Sequence, residues 1–123
     1  MRFLERYGQA ISAANVGEIT DCWEVPALVL SDQGAIAVSS RDQIERFFGQ
    51  AQEAYRSQGL VATRPALERA EALSEKLSSA HIRWSTLDKA GAEKASERSS
   101  YILRLGDDGE LRIQVALTRS MEE

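Results

Sequence analysis

LSSAHIRWSTLDKAGAEKASERSSYILRLGDDGELRIQVAL, residues 77–117, reads as three consecutive antiparallel strands joined by two turns. The turns, Asp88-Lys89-Ala90-Gly91 and Gly106-Asp107-Asp108-Gly109, supply residues that adopt positive φ at little cost. In the first strand Ala80, Ile82 and Trp84 share one face, while Ser79, His81, Arg83 and Ser85 share the other. In the second, Ser99, Tyr101, Leu103 and Leu105 oppose Ser100, Ile102 and Arg104, and in the third, Leu111, Ile113, Val115 and Leu117 oppose Arg112, Gln114 and Ala116. Each strand has one apolar and one more polar face, the pattern of a sheet covered by helices on one side.

Upstream, residues 60–76 contain Pro65-Ala66-Leu67-Glu68-Arg69-Ala70-Glu71-Ala72-Leu73, a composition that favours a helix with proline near its start. Propensity is a weak prior, and the strand beginning at Leu77 needs an antiparallel neighbour, so this segment is expected as a long, interrupted strand. Before it, Ser40 and Gln43 have capping-box spacing, Ile44, Phe47, Phe48, Ala51 and Tyr55 form an apolar stripe, and Gly59 stands where a left-handed cap belongs. The apolar runs 27–30 and 35–38 flank Ser31-Asp32-Gln33-Gly34, which marks a small hairpin. At the amino terminus Phe3, Tyr7, Ala10, Ile11 and Ala14 fall at helical spacing over residues 2–14, with Asn15 and Gly17 suited to end that helix. A short helix over 17–23 would bury Ile19, Cys22 and Trp23 and stop before Val25-Pro26, since a residue preceding proline is pushed from helical angles.

A chain of 123 residues is expected to form one domain with one core. Its net charge of −4 disfavours the phosphate-neutralising surface of a nucleic-acid binder. Cys22 is the only cysteine, so a reducing cytoplasm is the simplest compartment. Met1-Arg2-Phe3-Leu4-Glu5-Arg6 interleaves charged and apolar residues, unlike an export signal, and no window approaches the ~18 to 20 apolar residues that span a bilayer. One histidine, one cysteine and scattered carboxylates give no metal-ligand spacing, and no cofactor motif is present. Gly106-Asp107-Asp108-Gly109 lacks the remaining ligands of a calcium loop and reads as a hairpin turn.

The order helix, short helix, hairpin, long helix, four-stranded antiparallel sheet resembles the nuclear transport factor 2-like superfamily, which includes ketosteroid isomerases and SnoaL-like polyketide cyclases. The cues that carry it are Ser40-Arg41-Asp42-Gln43-Ile44 and Ala80-His81-Ile82-Arg83-Trp84, followed by Asp88, Gly91, Tyr101-Ile102-Leu103-Arg104 and Leu111-Arg112-Ile113. The resemblance implies an α+β fold over residues 1–123, with three N-terminal helices packed into a strongly curved, cystatin-like antiparallel sheet that forms a cone. It further implies a largely apolar pocket inside the cone and a homodimer formed through the outer sheet face. Superfamily isomerases use a carboxylate base inside the cone, whereas residues 111–117 hold no Asp or Glu here.

Cone-lining positions select Tyr7, Trp23, Trp84 and Tyr101 as ligand-binding candidates, since aromatic faces grip planar ligands and a phenol can donate to an oxyanion. The bland alternative is that all four only fill the core. Glu97 shares parity with Ser99 and Tyr101 and is a candidate general base, against the reading of 92–98 as a polar strand end projecting into water. Asp21, beside Trp23, is a second acidic candidate, against an ordinary solvated helix carboxylate. Parity puts His81 on the outer face, and Cys22 has no base beside it. Three functions stay open: a binder of a small apolar molecule, an enzyme of isomerase, cyclase or dehydratase type, and an interaction module with a filled cone.

Overall fold

A computed structural model describes residues 2–119, the side chains of Tyr55 and Arg119 excepted. Met1, residues 120–123 and the place of Tyr55 in its helical stripe lie outside the described residues. The chain is α+β, with three helices and six strands among the described residues: α1 (Arg2–Ser12), α2 (Val16–Asp21), β1 (Trp23–Ser31), β2 (Gly34–Val38), α3 (Arg41–Ser57), β3 (Leu60–Ala72), β4 (Leu77–Asp88), β5 (Glu93–Leu105) and β6 (Leu111–Arg119). The strands form one curved, unclosed sheet in the order β2-β1-β6-β5-β4-β3. All neighbours are antiparallel except β1 and β6, which run parallel. That parallel pairing extends the expected four-stranded sheet to six, because the backbone of 23–31 finds its partner on the far side of the chain in residues 113–117.

Helix α1 buries Phe3, Leu4, Tyr7 and Ala10 against the sheet. It ends at Ser12, not near residue 14, because Ala14 takes a left-handed conformation (φ 58°). The Ala14 N–H then donates to the Ile11 carbonyl (3.1 Å) and the Asn15 N–H to that of Ala10 (3.0 Å), satisfying carbonyls the helix leaves open. Asn15 starts the next helix instead of ending the first, its side chain accepting from the Glu18 N–H (3.1 Å). Helix α2 is correspondingly earlier and shorter than 17–23: Cys22 caps it and Trp23 opens β1. At Gly8 α1 approaches the sheet closely, since a Cβ there would lie 3.1 Å from the Pro65 ring and 3.4 Å from the Trp84 indole.

The capping box of α3 is formed. The Gln43 N–H donates to Ser40 Oγ (3.4 Å), and Gln43 Oε1 accepts from the Ser40 N–H (3.1 Å). Ile44 is buried, but Phe47 leaves the inward stripe and is 59% exposed. Gly59 (φ 78°) turns the chain into β3. Residues 60–72 are a strand despite their helical propensity, because β4 supplies the ladder. Pro65 is tolerated there because β3 is a sheet edge.

In β4, Ala80, Ile82 and Trp84 are buried on the helix side. On the outer face His81 Nδ1 meets Ser100 Oγ at 2.7 Å, and Arg83 pairs with Glu93 at 2.8 Å. The same alternation runs through Ser99, Tyr101 and Leu103 of β5. It breaks in β6. Ile102 pairs with Val115 but Leu103 with Ile113, so Gln114 is an extra residue and every side chain beyond it changes face. Ile113 points inward as its parity requires, but beyond it Ala116 and Thr118 face the interior while Val115 and Leu117 alternate with them on the outside. Gln114 donates to the Pro26 carbonyl of β1 and accepts from Arg104, so its side chain ties three strands together where the ladder is interrupted.

The β5–β6 turn is held by Asp108, which accepts from Arg112 Nη2 (2.7 Å) and the Glu110 N–H (3.0 Å). Led by the Arg112 bond, these lower its pKa from 3.8 to about 2. A carboxyl depressed on folding contributes stability that is present above its unfolded pKa and is lost as pH falls through the folded one. Chemical unfolding at stepped pH is expected to show stability declining from about 3.8 toward about 2, with a shallower decline in Asp108→Asn.

Candidate functional site

Between α1, α3 and the inner sheet face lies a cavity of about 520 Å³, within the range of small-molecule sites. Its floor is aromatic. Tyr7 from α1, Trp23 from the start of β1, Trp84 from β4 and Tyr101 from β5 meet there. The Trp23 Nε1–H donates to the Tyr7 hydroxyl (3.1 Å) and the Trp84 Nε1–H to the Tyr101 hydroxyl (3.0 Å). The Tyr7 ring lies edge-on to Trp84 and Tyr101, with centroids 5.8 and 6.3 Å apart. Buried indole and phenol groups need polar partners, and these four supply them to one another, which leaves their ring surfaces to the cavity.

Val29, Val38, Ile44 and Ala116 build the apolar walls. At the rim stand Ile36 of β2, 61% exposed, and Phe47 of α3. Arg46, also on α3 and exposed, is the one cationic side chain of the lining among the described residues. Glu97 is the one carboxylate among them. It lies across the β4–β5 ladder from Trp84, on the exposed side of the cavity, and makes no hydrogen bond or ion pair among the described residues. Burial of part of its surface, unrelieved by any donor, raises its pKa above the ordinary carboxylate value. The bare reading of 92–98 as a strand end in water therefore holds for exposure and fails for direction.

Asp21 is not brought to this site. Helix α2 ends there and turns Cys22 and Trp23 inward, so the carboxylate stays half-exposed and receives Arg41 Nη2 at 2.7 Å. His81 is on the far face of the sheet with Ser100. Cys22 is fully buried and burial pushes its thiol up to about 11, the reverse of what a nucleophile needs. Among the described residues no group of His, Cys, Asp and Glu converges to hold a metal ion, and no helix is long and apolar enough to cross a membrane.

Thr86, Arg46, Ala116 and Thr118 also line the cavity, and the sequence reading did not single them out. Thr86 follows the readable parity of Trp84. Ala116 and Thr118 were hidden by the extra residue in β6, for which no glycine or proline stands as a marker.

A family model described as NTF2-like protein (DUF6841) matches residues 1–121. No curated protein matches the chain. Among solved structures, a domain of unknown function with a cystatin-like fold from Nostoc punctiforme superposes with a TM-score of 0.76 at 14% identity, covering 99% of this chain and 75% of that one. A ketosteroid isomerase-like protein from Erwinia carotovora gives 0.72 at 11% identity over 99% and 93%. An NTF-2 like protein of unknown function from Shewanella oneidensis gives 0.73 at 9% identity over 95% and 93%. Likeness at these identities establishes the cystatin-like fold.

Proposed function

Because the chain belongs to the NTF2-like family DUF6841, we propose that its function is to bind a small, largely apolar molecule in the cavity between helices and sheet. The observation that carries this reading is the cavity itself: about 520 Å³ of open space over an aromatic floor whose polar atoms are already bonded to one another. A cone filled by its own side chains would have no such space. The fold argues for the kind of site and not for a reaction. An acid-base reaction of isomerase, cyclase or dehydratase type is the second reading, and the unpaired Glu97 in the lining is what favours it.

The test is a calorimetric titration with 2-naphthol, a neutral planar probe. Saturable binding at one site per chain supports the reading, and no heat of binding at millimolar probe contradicts it. Tryptophan emission gives an independent readout, since both tryptophans of the chain are in the lining.

The same proposal includes a homodimer formed through the outer sheet face. The extra residue in β6 turns Val115 and Leu117 to that side, where they pair with Leu28 and Leu30 of β1, and Val115 also pairs with Ile102 of β5. Five apolar side chains on three adjacent strands support a dry contact. A cytoplasmic location goes with this reading, supported by a single buried thiol, and the net charge of −4 argues against nucleic acid as the partner.

A further inference from the structure

Glu97 stands among hydroxyls of the inner sheet face, whereas Gln43, Arg46 and Gln52 belong to α3 and Thr63 spends its hydroxyl on the Ser85 carbonyl. Glu97 is flanked on the inner sheet face by Ser99, two residues along β5, by Thr118, which pairs with Ser99 across β6, and by Thr86, two residues along β4 from the Trp84 that faces Glu97. All four polar side chains line the cavity. None of Thr86, Glu97, Ser99 or Thr118 spends its side-chain oxygen on another described residue. Arg46, the one cation of the lining among the described residues, belongs to α3 and makes no ion pair with another of them.

We infer that the cavity takes an apolar primary amine, with its ammonium paired to Glu97 among the hydroxyls of Thr86, Ser99 and Thr118 and its apolar body on the aromatic floor. This rests on the small-molecule reading above and names the chemical class of the ligand. A carboxylate only accepts hydrogen bonds and a hydroxyl can accept them, so the arc offers acceptors in excess, and a primary ammonium is the small group that brings three donors and a positive charge together. The same position is beside the Trp84 ring, whose negative face attracts a cation. A neutral alcohol would satisfy at most one acceptor and leave the carboxylate unpaired. A carboxylate ligand would be repelled by Glu97 and would have only Arg46 to recommend it. The desolvation that raises the Glu97 pKa is the cost that a bound cation offsets.

The experiment compares 2-phenylethylamine, 2-phenylethanol and 3-phenylpropanoate by calorimetric titration near pH 7.5, on the natural chain and on Glu97→Gln. The amine is expected to bind about tenfold more tightly than the alcohol, a ratio typical of one charge-assisted pair at a partly exposed position, with the acid weakest. In Glu97→Gln the ratio of amine to alcohol is expected to fall to about one. Equal or tighter binding of the alcohol or the acid, or a preference for the amine that survives in Glu97→Gln, overturns the inference while leaving a small-molecule site in place. If none of the three probes binds, this inference falls, and the 2-naphthol titration decides the small-molecule reading separately.

Discussion

Leu103→Ala is expected to lower the free energy of unfolding by about 3 kcal/mol, within the span of roughly 2 to 5 seen for large-to-small changes in packed cores. Leu103 is completely buried on β5, near the middle of the six-stranded order, and faces Ile113 of β6 across the ladder. It belongs to the same buried cluster as Ile19, Cys22, Ile82 and Trp84, so removing its branch opens the packed interior. Interior packing relaxes only partly around a missing side chain, which adds the cost of a void to the loss of transfer free energy. Ile102→Ala, one residue away on the half-buried outer face, is the control and is expected to cost less than about 1.5 kcal/mol. Urea unfolding followed by far-ultraviolet circular dichroism measures both. Equal losses at the two positions would mean that the β5 alternation does not separate core from surface.

If the chain forms the proposed dimer through its outer sheet face, Leu117→Asp is expected to convert it to monomer in sedimentation velocity at micromolar concentration, weakening association by at least about a hundredfold. A two-fold contact through the sheet presents the same patch twice, so one substitution places two carboxylates in a single apolar interface. Each would lose water without gaining a partner, at a cost of several kcal/mol. Leu117 lies between Leu30 of β1 and Ser100 of β5 in register, so its direct cross-strand neighbours carry no charge to pair with the substituted side chain. The outer face nearer β3 and β4 is different in kind, with Arg83–Glu93 and Arg98–Glu68 ion pairs, and Glu68→Gln is expected to leave the sedimentation coefficient unchanged. A natural chain that sediments as a monomer, or a Leu117→Asp variant that stays dimeric, would remove the outer face as the contact.

The sequence was most legible where period-two alternation ran uninterrupted. Ala80, Ile82 and Trp84 could be placed inside and His81 and Arg83 outside by the sequence alone, and the same rule placed Tyr101 with Trp84, while helical spacing brought Tyr7 and Trp23 to the same space. Residues 60–72 could be read as a strand only by asking what β4 would pair with, since their own composition points to a helix. Three features escaped for identifiable reasons. An extra residue at Gln114 reverses the facing of Val115, Ala116, Leu117 and Thr118, yet glutamine is an unremarkable strand residue and its reason for being there is the Pro26 carbonyl, eighty-eight positions away. The parallel junction of β1 to β6 is likewise non-local, so the hairpin at 31–34 gave no sign that it belongs to the main sheet. Asp21 looked close to the cavity because Trp23 is in it, but a helix end and one residue of cap separate the two directions, and Arg41 draws the carboxylate outward. Glu97 is the converse case. Its parity was right, and its polar neighbours suggested water where the coordinates place a cavity edge.

The account depends on residue 116 facing the cavity and residue 115 facing away from it, and calorimetric titration of 2-naphthol into Ala116→Phe and Val115→Phe tests that arrangement most directly. Ala116→Phe is expected to put a ring into the space above Trp84 and Tyr101 and to weaken binding by about a hundredfold or more, while Val115→Phe leaves the affinity within about threefold of the natural chain. Loss of binding in Val115→Phe with retention in Ala116→Phe would contradict the account, since it would mean that the strand carries no extra residue and that the cavity is lined by the other face.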